Sequence, residues 1–248
     1  MINLFKRLLK KNESIGFEEQ ELDALCQRIN YQFSNKTLLC QALKHRSYLA
    51  FSGETRSASN ERLELLGDSV LGMVVTEFLF KKFPKETEGI LTNYKSLLVS
   101  GRLLAEIAMD FELGSFLLLN DSEERTGGRK RRSLLADAVE AVIGAIYLDG
   151  GLEAAKQFIH HNITCRLDSL LKNGQLRNNK SLLQEHCQSL GLCGPFYKIE
   201  REEGPDHKKH FTVSVTVDKK KLGYGEGTSK KRAEQKAASQ ALQRLNLI

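Results

Sequence analysis

The sequence has no apolar run approaching the roughly 20 residues that a membrane span needs. Its N-terminus, MINLFKRLLKKNESIG, carries basic residues but no stretch long enough for a signal-peptide core. Paired cysteines are missing too. The five present (Cys26, Cys40, Cys165, Cys187 and Cys193) are odd in number, lie far apart and form no C-x-x-C, so neither zinc nor a redox motif is suggested. They read as reduced, buried thiols. Internal repeats, low-complexity tracts and a disorder-like composition are likewise absent. Together these absences predict a soluble, cytoplasmic protein with no membrane partner.

At 248 residues the chain can bury a substantial core and hold two domains of unequal size. The net charge of +6 is uneven, because Lys180 to Ile248 holds 13 Lys/Arg against 8 Asp/Glu. Basic character therefore belongs mainly to the C-terminal part. From about Phe17 to Leu171 apolar residues recur at helical spacing, broken at Gly53, Pro84, Gly114, Gly127-Gly128 and Gly150-Gly151. In LTNYKSLLVSGRLLAEIAMDF, residues Leu97, Leu98, Leu104, Ile107 and Ala108 fall near one face, a core stripe. This predicts an all-α domain over residues 15–171. The periodicity lapses in 172–178, read as a flexible linker. Residues 179–248 change period: a helix over Ser181 to Leu190, strands FYKIERE, HFTVSVTVD and KKLGYGEG, and a last helix from about Ser229. The second domain is thus a small α+β unit of order α-β-β-β-α. Its last helix carries Ala233, Ala237, Ala241 and Leu245 on one face, flanked by Ala238 and Leu242.

Charge inside the apolar helices is the main anomaly. In NERLELLGDSVL, Glu61, Glu64 and Asp68 stand at i, i+3 and i+7, so a helix aligns them with consecutive Cβ atoms roughly 5–6 Å apart. In LADAVEAVIGAIYLDGG, Asp137 and Glu140 repeat the i, i+3 spacing. Like charges so close destabilise a helix unless a cation or a proton offsets them. Either segment alone would be a solvated face. Two apolar helices with paired acids and no matching basic residues suggest a hard divalent cation, since Mg²⁺ prefers carboxylate and water oxygens. A carboxylate-bridged di-iron site would want Glu-x-x-His, which neither segment has. The six histidines show no triad-like placement; His45, in LKHRSY, reads as structural, and His160 and His161 lie near a helix end.

NERLELLGDSVL resembles the signature of the ribonuclease III family, and LLADAVEAVIGAIYLDGG its second acidic helix; LKHRSY and EGILTNYKSLLVS extend the match. The resemblance implies Mg²⁺-dependent hydrolysis of double-stranded RNA by a metal-activated water, with Mn²⁺ able to substitute, leaving 5′-phosphate and 3′-hydroxyl ends. It also implies processing of ribosomal and messenger RNA precursors. Carried over by position, Glu64, Asp137 and Glu140 would bind the metal, Glu140 also counting as catalytic, and Asp68 would be an essential acid beside them. Glu61 and Glu88 match further acids of the family's cleft. Asn60 would position its neighbours or simply cap the helix. Where this chain has Leu65 the family often has an aromatic residue packed across a homodimer boundary, so a dimer with altered packing is expected.

The C-terminal unit resembles a double-stranded RNA-binding domain, through GPDHKKHF and TSKKRAEQKAA. The resemblance implies that Gln184 and Glu185 touch one minor groove, that the loop bearing His207 reaches the next, and that Lys230 and Lys231 grip phosphates between them. The helix start suits those lysines, since free N–H groups and the positive dipole end also attract phosphate. Tyr197 and Phe211 read as core. GGRKRRS, Gly127 to Ser133, could be an exposed loop or an RNA-phosphate contact. The rival reading is a non-catalytic duplex-RNA-binding or ribosome-associated protein that kept the fold; a complete acid set argues against it.

Overall fold

A computed structural model describes residues 17–172, 179–205 and 209–247. These divide into two compact units between Ser169 and Leu170. Residues 173–178, most of the expected linker, lie outside the described residues. None of the described helices is long and apolar enough to cross a membrane.

The first unit is helical: α1 (Glu19–Ile29), α2 (Lys36–Ala42), α3 (Leu49–Ser52), α4 (Glu61–Lys82), α5 (Glu88–Leu98), α6 (Gly101–Asp110), α7 (Asp121–Arg125) and α8 (Arg132–Asn162), with short 3₁₀ turns between some of them, and the division falls within α9 (Leu167–Lys172). Helix α8 is the central member, packed against α4, α6 and α2. Its first half is buried nearly all round, from Leu135 through Ile146, which explains the near-continuous apolar sequence there. The glycine break at 150-151 is a kink: Gly151 has φ +76° inside an otherwise continuous helix. Asp149 closes that region by accepting from Tyr31 Oη at 2.8 Å and from the N–H groups of Ser34 and Asn35.

One expected stripe is two helices instead of one. Ser100 separates α5 from α6, its hydroxyl donating to the Leu97 carbonyl and accepting from the Leu103 N–H. Such a side chain satisfies end groups of both helices, and so stops one and starts the next. The cysteines also depart from expectation in part: all five are free, but Cys165 and Cys193 are exposed.

The second unit has α10 (Asn179–Ser189), an antiparallel sheet β1 (Phe196–Glu203), β2 (His210–Val217) and β3 (Lys220–Gly227) in the order β1-β2-β3, and α11 (Lys230–Arg244). Phe211, Val213, Val215 and Val217 are buried as the period-2 pattern requires. Ser214 is buried on the opposite face, where its hydroxyl donates to Glu200, itself paired with Lys221 at 2.7 Å. Helix α11 lies close on β3 because glycine and alanine meet there. A Cβ on Gly225 would stand 2.2 Å from the Ala233 carbonyl, and one on Gly223 would stand 2.4 Å from that of Ala237. The alanine stripe and the GYGEG strand are complementary halves of one contact.

Candidate active site

Helix α4 starts where the Asn60 N–H donates to the Lys44 carbonyl at 2.8 Å, which ties LKHRSY to the acidic helix. Asn60 does not cap with its side chain. Its backbone is already helical, and its side chain is buried at the edge of a cavity.

Two glycines set the approach of α4 to α8. A Cβ on Gly67 would lie 1.7 Å from the Glu140 carbonyl oxygen, and one on Gly144 would lie 2.2 Å from that of Leu63. Only hydrogen fits at either position. Glu64 and Asp68 flank Gly67 on α4, while Asp137 and Glu140 precede Gly144 on α8. The close crossing therefore brings the two acid sets together.

Glu64, Asp137 and Glu140 each offer a carboxylate oxygen within 4.8 Å of the others. All three are partly buried, and among the described residues no Lys or Arg pairs with any of them. Burial is the main force raising all three pKa values. Glu140 is pushed up to about 7, with Asp68, Asp137 and Glu64 adding repulsion. Glu64 is raised by burial and by Asp137, Glu61 and Asp68; Asp137 is raised by burial, with His45 partly opposing. Asp68 is exposed beside this triplet rather than part of it.

Glu61 lines the adjoining cavity of about 560 Å³ with Glu64 and Asp137. Its charge is already matched: Arg56 donates to both carboxylate oxygens, at 2.9 and 3.2 Å, and Arg46 lies at 3.6 Å. Those contacts hold its pKa below the ordinary carboxylate value. Glu88 is not brought to the cluster. It stands in the first turn of α5, exposed, accepting from the Thr92 hydroxyl at 2.9 Å.

Leu65 is 72 % exposed, with Met73 and Phe80 further along the same side of α4. A groove of about 590 Å³ follows that side, lined in part by Asp68, Met73, Phe80 and Lys95. Two of the four basic residues of the loop are taken up by the fold. Arg129 donates to the carbonyls of Gly114, Ser115 and Leu117 and pairs with Glu124, and Arg131 pairs with Glu123 at 2.6 Å. Of its basic residues, Lys130 and Arg132 are exposed.

In the second unit Gln184 and Glu185 are exposed on α10, and Lys230 and Lys231 are exposed in the first turn of α11. Ser229 caps that turn, accepting from the Arg232 N–H. The Lys230 ammonium also sits 5.6 Å over the ring of Phe211. Two cations at a helix N-terminus oppose the helix dipole, a local cost that an anion would relieve. His207 lies outside the described residues.

The pairing of Arg56 and Arg46 with Glu61 and the presence of His45 in the cavity wall were not read from the sequence. The nearness of Arg56 to Glu61, five residues apart, was the available signal for the first.

The Ribonuclease-III-like family profile matches residues 35–167, and the Double-stranded RNA binding motif matches residues 179–245. Ribonuclease 3 of Caldanaerobacter subterraneus subsp. tengcongensis is 45% identical over 227 residues, which are 92% of this chain and 99% of that protein. Ribonuclease 3 of Borreliella burgdorferi is 40% identical, over 93% of this chain and 94% of that one. The crystal structure of the nuclease domain of ribonuclease III from Campylobacter jejuni is 43% identical with a TM-score of 0.51, covering 58% of this chain and 91% of its own. A second structure of that domain, described for structural flexibility in a region involved in dimer formation, is 43% identical with a TM-score of 0.52, covering 57% and 97%. With the helical nuclease unit, the converging acids and the RNA-binding unit all accounted for, the chain belongs to the ribonuclease III family and is an endoribonuclease of double-stranded RNA.

Proposed function

We propose that Glu64, Asp137 and Glu140 hold a divalent cation, Mg²⁺ with Mn²⁺ able to replace it, and that this cluster hydrolyses each RNA strand to leave 5′-phosphate and 3′-hydroxyl ends. The convergence of three carboxylate oxygens within 4.8 Å carries the reading. The donor set fits a hard cation, being all oxygen, partly buried and with no Lys or Arg paired to it among the described residues, since Arg46 and Arg56 pair with Glu61 and Arg131 with Glu123. Such a cation supplies Lewis acidity toward a phosphate oxygen and toward the attacking water. The side chains do the rest. Glu140 surrenders its proton near neutral pH when the cluster is loaded, so cations and protons compete for it. Asp68 adds negative charge at the cleft edge and acts as an essential acid. Glu61, held by Arg56, borders the path of the strand. Since no protein nucleophile is needed, the non-catalytic alternative would require loss of these acids, and all of them are present.

Glu88 completes a cleft only across a subunit boundary, and the exposed Leu65, Met73 and Phe80 offer an apolar surface for a homodimer. Each dimer would then present two acid clusters, one per strand. In the second unit, residues 179–248, Gln184 and Glu185 address one minor groove, the His207 loop the next, and Lys230 and Lys231 the phosphates. The nuclease part spans 15–171 and the connecting segment 172–178. The substrates are ribosomal and messenger RNA precursors in the cytoplasm, chosen by helical shape more than by sequence.

Two measurements test this reading. Raising the pKa of Glu140 from 4.5 to about 7 on folding means that the folded, cation-free chain binds more protons than the unfolded one between those values. Its stability must therefore fall as pH rises through that window. The melting temperature without divalent cations should be lower at pH 7.5 than at pH 5, and Mg²⁺ should raise it at pH 7.5; no response to Mg²⁺ would count against the site. Replacing Lys230 and Lys231 together with alanine should weaken duplex binding and reduce the salt slope by about 1 to 2. An unchanged slope would show that neither lysine displaces counterions.

A further inference from the structure

The LKHRSY segment is pinned from several directions. The His45 N–H donates to the Leu118 carbonyl at 3.1 Å, the Leu118 N–H to that of Leu43 at 2.9 Å, and the Asn60 N–H to that of Lys44 at 2.8 Å. Within this frame the imidazole is fixed. Its Nδ1 accepts from the Ser47 N–H at 3.2 Å and lies 2.9 Å from the Ser47 hydroxyl, whose oxygen accepts from the Asn120 N–H. A ring nitrogen that accepts a backbone N–H carries no proton, so the neutral ring holds its hydrogen on Nε2. Burial keeps the ring neutral by lowering its pKa. Nε2 has no hydrogen-bond partner among the described residues, while the ring lines the cavity shared with Glu64 and Asp137. The donor is held in one orientation by these contacts and opens onto the cavity, where an acceptor lying in the cleft can reach it.

Of the acceptors that share the cavity, Glu61 is committed to Arg56 and Glu123 to Arg131, while Glu64 and Asp137 are the ligands of the cation in the reading above and make no hydrogen bond to the ring. An RNA strand laid over the acid cluster brings phosphate oxygens and 2′-hydroxyls, both acceptors for a neutral N–H. We propose that His45 is a substrate-binding residue, its Nε2–H donating a hydrogen bond to the RNA strand in the cleft. The role rests on the nuclease reading above and adds a contact to it.

Two replacements separate this role from a structural one. In His45→Asn the amide oxygen can stand in for Nδ1 and keep the turn around Ser47 capped, but no donor reaches the cleft. In His45→Gln the amide nitrogen can reach the place of Nε2, and the cap is lost. Melting temperature should rank Asn above Gln. For cleavage of a short duplex in Mg²⁺, kcat/KM should rank the other way, with Gln about tenfold above Asn. Mn²⁺ affinity, read by electron paramagnetic resonance, should match wild type in both. If Asn cleaves as well as Gln or better, or if Mn²⁺ affinity drops in step with kcat/KM, the proposal is overturned, since His45 would then act on the fold or on the cation. Failure of the nuclease reading looks different: every chain, wild type included, is then inactive in Mg²⁺, and the role of His45 falls with it.

Discussion

Glu140→Gln abolishes cleavage of duplex RNA, by on the order of a thousandfold or more, while making the cation-free protein harder to unfold. Both effects follow from the same buried carboxylate. At neutral pH Glu140 is poised near its pKa of about 7 in a pocket that Asp68, Asp137 and Glu64 already make negative. Gln has nearly the same shape but no charge, so it removes repulsion and a cation ligand together. With Glu140 in place, stability is lost as pH rises through that pKa, by at most about 3 kcal/mol and by less where solvent screens the partly exposed cluster. Relieving the repulsion should lift the melting temperature in chelator at pH 7.5 by several degrees. Duplex binding should be nearly intact, because the second unit carries its own contacts. A variant that gains stability and loses activity marks a site where function is bought with stability. Full activity in Glu140→Gln would remove the cation argument.

Gly67→Ala should be the most disruptive one-carbon change in the nuclease unit. In most helices alanine is about 1 kcal/mol better than glycine. Here the added carbon would meet the Glu140 carbonyl oxygen at 1.7 Å, and that atom belongs to the backbone of α8. Helices α4 and α8 must separate, at a cost at or above the usual ~1–3 kcal/mol of overpacking. A fall in melting temperature of roughly 10 °C is expected, with loss of cleavage even at temperatures where the chain is folded. Gly89→Ala is the comparison, since its carbon enters open space on α5 and should leave the melting temperature unchanged or slightly raised. Equal melting of the two variants would show that the crossing can relax, and that it does not set the geometry of the acids.

The same crossing shows what was legible in the sequence and what was not. Carboxylates at i, i+3 and i+7 declare themselves within one helix, as does the alternation Phe211, Val213, Val215, Val217 within one strand. The contact between Gly67 and Gly144 joins residues far apart in the chain, and no local period records it. A faint signal existed: each glycine interrupts an apolar helix beside its acids, which is costly without a packing reason. Ser100 also spoke locally, as a capping residue inside what reads as one apolar stripe. The placement of Arg129 was hidden altogether. As part of GGRKRRS it looks like free charge, whereas in the fold it satisfies three carbonyls. Composition reports how many charges a loop has, and only the tertiary structure reports which are already spent. The match of Glu61 by Arg56 belongs to the same class, and it sets this acid apart from Glu64, Asp137 and Glu140.

In the proposed function, the acids joined at the α4 and α8 crossing cut duplex RNA with a divalent cation. The most direct test incubates the protein with a long, perfect RNA duplex in Mg²⁺ and in excess chelator, and maps the ends produced on both strands. Cuts on both strands in Mg²⁺ alone, with 5′-phosphate and 3′-hydroxyl ends, are the predicted result. Undiminished cleavage in chelator, or ends of the opposite polarity, would contradict it.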